Sequence, residues 1–293
     1  HSAQWVFSML PLAAASTIVI QQRFGPAETL ALMDRHRVTN LHLVPTQFIR
    51  MLKLPDAIRG TFVGGALGVA LHGAAPCPLA VKRQMLAWWG PRITEYYGGT
   101  ESGFLTMITG EEWLRKPGSV GRATPLAEIR IIKEDGSLAG PNEPGQIYFA
   151  SRTGADFHYH KDPAKTEAAH REPGVGTLGD VGYLDEDGYL FLSDRKIDMI
   201  ISGGVNIYPA EIESEFLSHP KVGDIAVFGI PSEEWGEEVK AVVEPKEGVD
   251  GDSELVTELL EFLRERIARY KVPKSIDFVR EMPRDPSGKL YKR

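Results

Sequence analysis

Short apolar runs alternate with helix-length amphipathic stretches over the first hundred residues, and proline opens most of the helical ones. Ser16–Ile20 reads as a β-branched strand and Pro26 opens a helical stretch carrying Leu30 and Met33. Leu41–Val44 is a second strand, followed by a helix from Pro45 with Phe48, Met51 and Leu52. Val69–His72, a helix from Pro78 with Val81, Met85 and Trp88, and the strand Ile93–Tyr96 complete the pattern. Proline suits a first helical turn because its missing N–H has no partner there anyway. Strand–helix alternation predicts an α/β fold with a mostly parallel sheet covered by helices. The apolar stretch Ser8–Ile20 is broken by Pro11 and is too short to span a bilayer. No basic segment precedes it, which argues against a signal peptide.

The pattern changes after about Phe104. Strand-like runs at Glu128–Lys133, Gln146–Ala150, Gly182–Leu184 and Tyr189–Ser193 are punctuated by Gly and Pro, and Asp187–Gly188 reads as a hairpin turn. This predicts a β-barrel-like part over 105–194, joined to an α/β part over 1–104. A small α+β domain over 195–293 follows, with a helix at Pro209–Leu217 and strands at Ile225–Gly229 and Val239–Val243. Its second helix is capped by Asp252 or Ser253 and turns Leu255, Leu259, Phe262, Leu263 and Ile267 inward. Two domains suit 293 residues, and 42% hydrophobic with 25% charged residues excludes a disordered chain. A net charge of −7 argues against a general nucleic-acid binder. With Cys77 alone no internal disulfide can form, which permits a reducing, cytoplasmic location. Charge is segregated: 211–261 holds 15 acidic and 3 basic residues, and 262–293 holds 10 basic and 4 acidic. Either these are two solvated faces, or the basic tail approaches an anionic ligand.

Three segments are unlike scaffolding. Glu95-Tyr-Tyr-Gly-Gly-Thr-Glu101 follows a strand, where α/β sheets bind ligands. Gly98 and Gly99 allow close backbone approach, Thr100 offers a hydroxyl to a phosphate, Glu101 suits a hard cation, and Tyr97 offers a flat face to a base. Taken alone, the segment reads as a strand-to-loop turn with a solvated glutamate. Next, Gly179-Asp180 and the run from Asp194-Arg195 through Gly203-Gly204 to Pro209-Ala-Glu211 place a diol acceptor, a cation and a second glycine pair in order; alone they also fit a salt-bridged turn. Finally, Ser287-Gly288-Lys289 lies in what reads by itself as a solvated tail.

Taken in order, these motifs resemble the adenylate-forming superfamily of acyl-CoA synthetases, luciferases and adenylation domains, and the resemblance covers essentially the whole chain. His72-Gly-Ala-Ala-Pro76 resembles the family's segment lining the adenine and acyl pockets, and Trp235-Gly-Glu237 a segment of its small domain. The resemblance implies an ATP-dependent carboxylate–CoA ligase that makes an acyl-adenylate and then a thioester, using ATP, Mg²⁺ and coenzyme A on a small carboxylic acid. By the same resemblance Tyr97 stacks on adenine opposite Gly73, Ala74 and Ala75. Thr100 contacts a phosphate, Glu101 holds Mg²⁺, and Asp180 and Arg195 hold the ribose. Lys289 serves adenylation as the catalytic lysine. His1, His72 and Gly73 border the acid. Ile197 is the hinge, where many relatives carry Asp or Lys. Gly203 and Gly204 line the pantetheine tunnel.

The family's Ser/Thr/Gly-rich phosphate loop is absent from this sequence. The expectation is therefore an N-terminally truncated piece with an apolar sheet edge exposed. Loading of a carrier protein, or nucleotide binding without turnover, are the alternatives. A dinucleotide-binding oxidoreductase would need a Gly-x-Gly-x-x-Gly motif, and none occurs.

Overall fold

The computed structural model describes residues 2–195, 198–284 and 290. The chain divides into two compact bodies, His1–Leu178 with Tyr183–Phe191, and Gly179–Gly182 with Leu192–Arg293.

The first body opens with helices α1 (Ser2–Ala13) and α2 (Pro26–Arg35), then β1 (Asn40–Leu43), α3 (Pro45–Leu52), the short α4 (Asp56–Arg59), β2 (Val69–His72), α5 (Leu79–Trp89) and β3 (Ile93–Gly99). Strands β1 and β2 pair in parallel from Asn40↔Val69 to Leu43↔His72, and β2 and β3 from Ala70↔Ile93 to His72↔Glu95. Pro26 and Pro45 occupy first helical positions, whereas Pro78 is the residue before α5, with ψ 137°. Ser16–Ile20 is not a strand. β1 ends the hydrogen-bonded order of the sheet, and β-branched residues gain little from an extended backbone without a neighbour to pair with. Ile20 is 81% exposed, and α1, with Pro11 inside it, exposes Trp5, Leu10 and Leu12.

Beyond β3 the pairing turns antiparallel through β4 (Gly103–Ile108) and β5 (Ser119–Ala123), with α6 (Gly110–Arg115) between them. The sheet then takes in β6 (Ala127–Ile132), β7 (Gly145–Ser151), β8 (His170–Glu172), β9 (Val175–Gly176), β10 (Asp180–Leu184) and β11 (Leu190–Arg195), with α7 (Pro163–Ala168) on the way. The order is β1-β2-β3-β4-β5-β11-β10-β7-β9-β8, with β6 against β7. At the expected hairpin, Asp185 Oδ1 accepts from the N–H groups of Asp187 and Tyr189, and Gly188 takes φ +78°.

In the second body β12 (Ile200–Ser202) and β13 (Val205–Ile207) form a hairpin, followed by α8 (Pro209–Ser218), β14 (Val222–Ser232), β15 (Gly236–Pro245), α9 (Ser253–Arg264) and β16 (Ser275–Phe278). The sheet order is β13-β12-β15-β14, with β16 parallel to β15. Asp252 is the cap of α9, accepting from Leu255 N–H at 2.9 Å. Leu255, Leu259 and Leu263 of α9 bury against Ile212 and Phe216 of α8 and the valines of β14 and β15. Each fully buried aliphatic side chain contributes roughly 1.5–3 kcal/mol.

The first core gathers Leu30, Met33, Phe48, Met51, Ala70, Met85, Trp89 and Ile93. Beside it lies a cluster that apolar patterning does not require. Lys82 of α5 is fully buried; its ammonium bonds Glu95 Oε2 of β3 at 3.0 Å and His72 Nε2 of β2, and lies 5.6 Å from the Trp113 ring centroid. An ammonium only donates, so His72 accepts at Nε2 and carries its proton on Nδ1, for which no partner is present among the described residues. Burial, aided by Lys82, holds the His72 pKa well below the ordinary value. Burial pushes the Glu95 carboxyl up, and Lys82 pulls against it. Removing one member of such a pair strands a buried charge, whereas replacing both with apolar groups is often neutral. Lys82→Met should therefore lower the unfolding free energy by about 3–5 kcal/mol. Lys82→Met/Glu95→Leu should recover most of that loss in urea titrations. A single variant as stable as wild type would contradict the pairing.

Candidate active site

Because β2 and β3 are parallel, the segments that follow them leave the sheet at the same end, the position at which open α/β sheets bind ligands. β2 runs into Gly73–Ala75, and β3 runs into the turn that bears Thr100 and Glu101. The two segments meet at Gly73: a Cβ there would lie 2.7 Å from Cζ of the Tyr96 ring and from the Tyr96 carbonyl oxygen. Ala74 is held at φ +66°, an unfavourable conformation for a residue with a Cβ. Gly98 allows the β3–β4 turn to close, since a Cβ would fall 1.9 Å from the Gly103 oxygen. Ser102 Oγ accepts the Gly99 N–H at 3.0 Å and donates to the Gly103 carbonyl at 3.2 Å. This leaves Thr100 exposed at the tip and Glu101 partly exposed beside it, while Tyr97 is buried, with 8% of its surface exposed.

Glu101 accepts a hydrogen bond at Oε1 from the Tyr159 hydroxyl, 3.0 Å away. Among the described residues no cluster of three His, Cys, Asp or Glu side chains could hold a metal by itself. A lone, reachable carboxylate next to a hydroxyl fits magnesium, which is ordinarily held by one or two carboxylates with substrate phosphates.

An aromatic group that the sequence reading did not single out packs behind Gly73. Tyr96 OH lies 3.0 Å from His42 Nε2, Phe7 stacks on His42 at 4.0 Å, and Phe104 meets Tyr96 edge-on at 4.7 Å. Burial lowers the His42 pKa to about 4, so this imidazole is neutral. The His72 side chain, expected to border the acid, has no exposed surface and belongs instead to the Lys82 cluster. Cys77 is a protonated thiol, its pKa raised by burial and by Glu95.

In the second body Gly203 (φ +57°) and Gly204 (φ +78°) form the two-residue turn between Ser202 and Val205, the backbone a tight type I′ hairpin requires. A Cβ on Gly203 would reach 2.8 Å from the Trp235 ring, Gly203 N–H donates to the Trp235 carbonyl at 2.8 Å, and Glu237 Oε2 accepts from Ile201 N–H at 2.7 Å. Two motifs thirty residues apart in the sequence thus form one unit. Asp180 is buried, with 8% of its surface exposed, and Arg195 is the last residue of β11. His1, Ile197 and Lys289 lie outside the described residues.

Fold and family profiles together define a member of the adenylate-forming superfamily. A profile of the AMP-binding enzymes matches residues 1–156, and one of the AMP-binding enzyme C-terminal domain matches 211–289. The chain belongs to the AMP-binding enzyme family. It is 36% identical over 277 residues to a long-chain-fatty-acid–CoA ligase of Bacillus subtilis, covering 94% of this chain and 48% of the relative. It is 37% identical over 283 residues to a 2-succinylbenzoate–CoA ligase of Geobacillus kaustophilus, covering 94% and 54%. The ATP-bound MatB structure from Rhodopseudomonas palustris superposes with a TM-score of 0.87 at 33% identity, over 99% of this chain and 56% of that one. The chain spans about half the length of the curated relatives it matches.

The segment that presents Tyr159 carries a titratable latch. His170 Nδ1 lies 2.7 Å from the Thr166 carbonyl and Nε2 lies 2.8 Å from Asp156 Oδ1. Both partners only accept, so both ring nitrogens donate and the imidazolium is the form that fits. Burial lowers the His170 pKa, but the Thr166 carbonyl and Asp156 carboxylate outweigh it, and the net shift is upward. A folded-state pKa above the unfolded value gives stabilisation that is full below about pH 6.5 and lost as pH rises through the folded value. The His170 Cε1 resonance should titrate with a midpoint above 6.5, and Asp156→Asn should lower it. A wild-type midpoint below 6.5 would contradict the latch.

Proposed function

We propose that the protein is an ATP-dependent carboxylate–CoA ligase, forming an acyl-adenylate and then an acyl-CoA thioester. The observation that carries this reading is the emergence of Gly73–Ala75 and Tyr97–Glu101 from the same end of two parallel strands. Relatives named as CoA ligases favour coenzyme A over a carrier protein as acceptor.

In this reading the carboxylate of the acid attacks the α-phosphorus of ATP and pyrophosphate leaves. Gly73–Ala75 present backbone to the adenine, where side chains would intrude, and Tyr97 supplies a ring face. Thr100 donates its hydroxyl to a phosphate oxygen. Glu101 holds magnesium, which neutralises phosphate charge when bound. Asp180 and Arg195 take the ribose hydroxyls. Lys289 places an ammonium where negative charge gathers during adenylation, a point charge suited to phosphate oxygens. The Gly203–Gly204 turn, stiffened by Trp235, serves the thioester step by leaving room for the pantetheine arm. The neutral, aromatic surroundings of Gly73 favour an acid with an apolar body.

The test is acid-dependent ATP–pyrophosphate exchange by the intact protein across a panel of carboxylic acids, followed by thioester formation with CoA. Lys289→Ala should cut exchange by about 10²–10³-fold, the scale of losing one charge-stabilising donor, while sparing thioester formation from supplied acyl-adenylate. Gly203→Leu should do the reverse, because its side chain meets Trp235 and its backbone is left-handed. Unchanged exchange in Lys289→Ala would refute the assignment.

A further inference from the structure

The segment between β7 and β9 has no task in the reading above, yet one of its side chains reaches the turn after β3. Tyr159 is held from several directions. Its N–H donates to Thr166 Oγ1 at 2.9 Å, and Thr166 donates in turn to the Asp162 carbonyl at 2.9 Å. The Lys165 ammonium stands 4.1 Å from the Tyr159 ring centroid, and Phe157 meets that ring edge-on at 5.7 Å. Phe157 is itself stacked on Phe149 at 5.9 Å and packed on His170 at 4.4 Å. What this packing fixes is the position of the hydroxyl, because a tyrosine ring once held leaves its oxygen little freedom.

That hydroxyl donates to Glu101 Oε1 across 58 residues of sequence. The other carboxylate oxygen, Oε2, lies close over Gly99, 3.2 Å from where a Cβ would stand. Glu101 would otherwise be a long side chain on an exposed turn, free to rotate about three bonds.

We propose that Tyr159 is a positioning residue for Glu101, occupying one carboxylate oxygen so that the other is presented in a fixed orientation to the divalent cation. The proposal rests on the reading of Glu101 as the cation's protein ligand. Hydrogen bonds to metal-binding carboxylates orient them, and their loss costs typically about 10–100-fold in metal affinity. The pinned ring makes Tyr159→Phe a clean probe, since it deletes the hydroxyl and keeps the contacts with Phe157 and Lys165.

The experiment measures Mn²⁺ binding in the presence of ATP, from the loss of the free-ion electron paramagnetic resonance signal, for four forms of the intact protein: wild type, Tyr159→Phe, Glu101→Ala and the double variant. Tyr159→Phe should raise the Mn²⁺ Kd about 10–100-fold, while hydrogen exchange over 156–173 stays at wild-type protection. In the Glu101→Ala background the further loss of the hydroxyl should change nothing, because the tyrosine acts through the carboxylate. If Glu101→Ala weakens Mn²⁺ binding and Tyr159→Phe does not, the positioning role is overturned and the reading of Glu101 survives. Equal additive losses in the double variant, or collapse of protection over 156–173 in Tyr159→Phe, would reduce the hydroxyl to a loop tie and also overturn it. If Glu101→Ala binds Mn²⁺ as wild type does, the reading of Glu101 falls and the proposal with it.

Discussion

A lysine ammonium buried where a helix crosses two parallel strands sets the frame for the end of the first body from which Gly73–Ala75 and Tyr97–Glu101 emerge. Lys82 reaches from α5 to Glu95 on β3 and His72 on β2, with Trp113 beside it. Taking these charges out of water costs several kcal/mol per ion, and only good geometry recovers it. Ordinary hydrophobic contacts would have closed this gap with less demanding geometry. What apolar contacts do not provide is direction. Glu95 and His72 are register partners, and Gly73 follows directly after His72 while Tyr96 and Tyr97 follow Glu95. A slip of one residue in either strand would strand the ammonium and also separate Gly73 from Tyr96. The ion pair and the glycine contact therefore specify the same register twice.

The turn beyond β3 is built on the same economy of alternatives. Gly98 admits a backbone approach no side chain would allow, Gly103 takes φ +66°, and Ser102 spends its hydroxyl on the turn's own amide and carbonyl. Thr100 and Glu101 are thus left as the groups that face outward. Ala74, in a left-handed conformation on the adjoining segment, shows that the surrounding structure imposes a backbone geometry that its own residue disfavours. Both segments are thus backbone whose conformation is set by close packing rather than by the preference of their own residues.

The parts legible in the sequence are those that follow from local chemistry. Prolines at 26 and 45 mark helix starts because their φ and missing N–H act on their own residue. The Asp187–Gly188 hairpin is legible because the positive φ it needs falls on a glycine. Ser16–Ile20 misleads because β-branching signals only a willingness to pair, and its partner is a matter of tertiary structure. Lys82 and Glu95 are hidden for a related reason: one lysine in a helix and one glutamate in a strand look solvated until the crossing of their elements is known. Tyr159 is hidden too, since its partner is 58 residues away. A Tyr flanked by His and followed by Lys-Asp-Pro carries no local geometry that points to Glu101. The motif order alone supported the adenylate-forming family, and the family profiles agree with it.

Charge segregation in the second body shows how tertiary structure can answer a question that composition leaves open. The acidic stretch 211–261 and the basic stretch 262–293 could be two solvated faces or a field that draws in an anion. The structure pairs members of one with members of the other. Lys271 bonds both oxygens of Glu211, at 2.8 and 2.6 Å, and Arg284 grips Asp224 with two bonds of 2.7 and 2.8 Å. The first pair is largely surface chemistry, worth about 0–1 kcal/mol. The second is bidentate and more enclosed, with side-chain exposures of 26% and 16%, and its planar geometry ties the segment at Arg284 to β14 more firmly than a point charge could. Lys271 and Arg284 are therefore committed to partners within the second body. The charge segregation is thus met in part by ion pairs inside the second body, which tie the basic stretch to the acidic one.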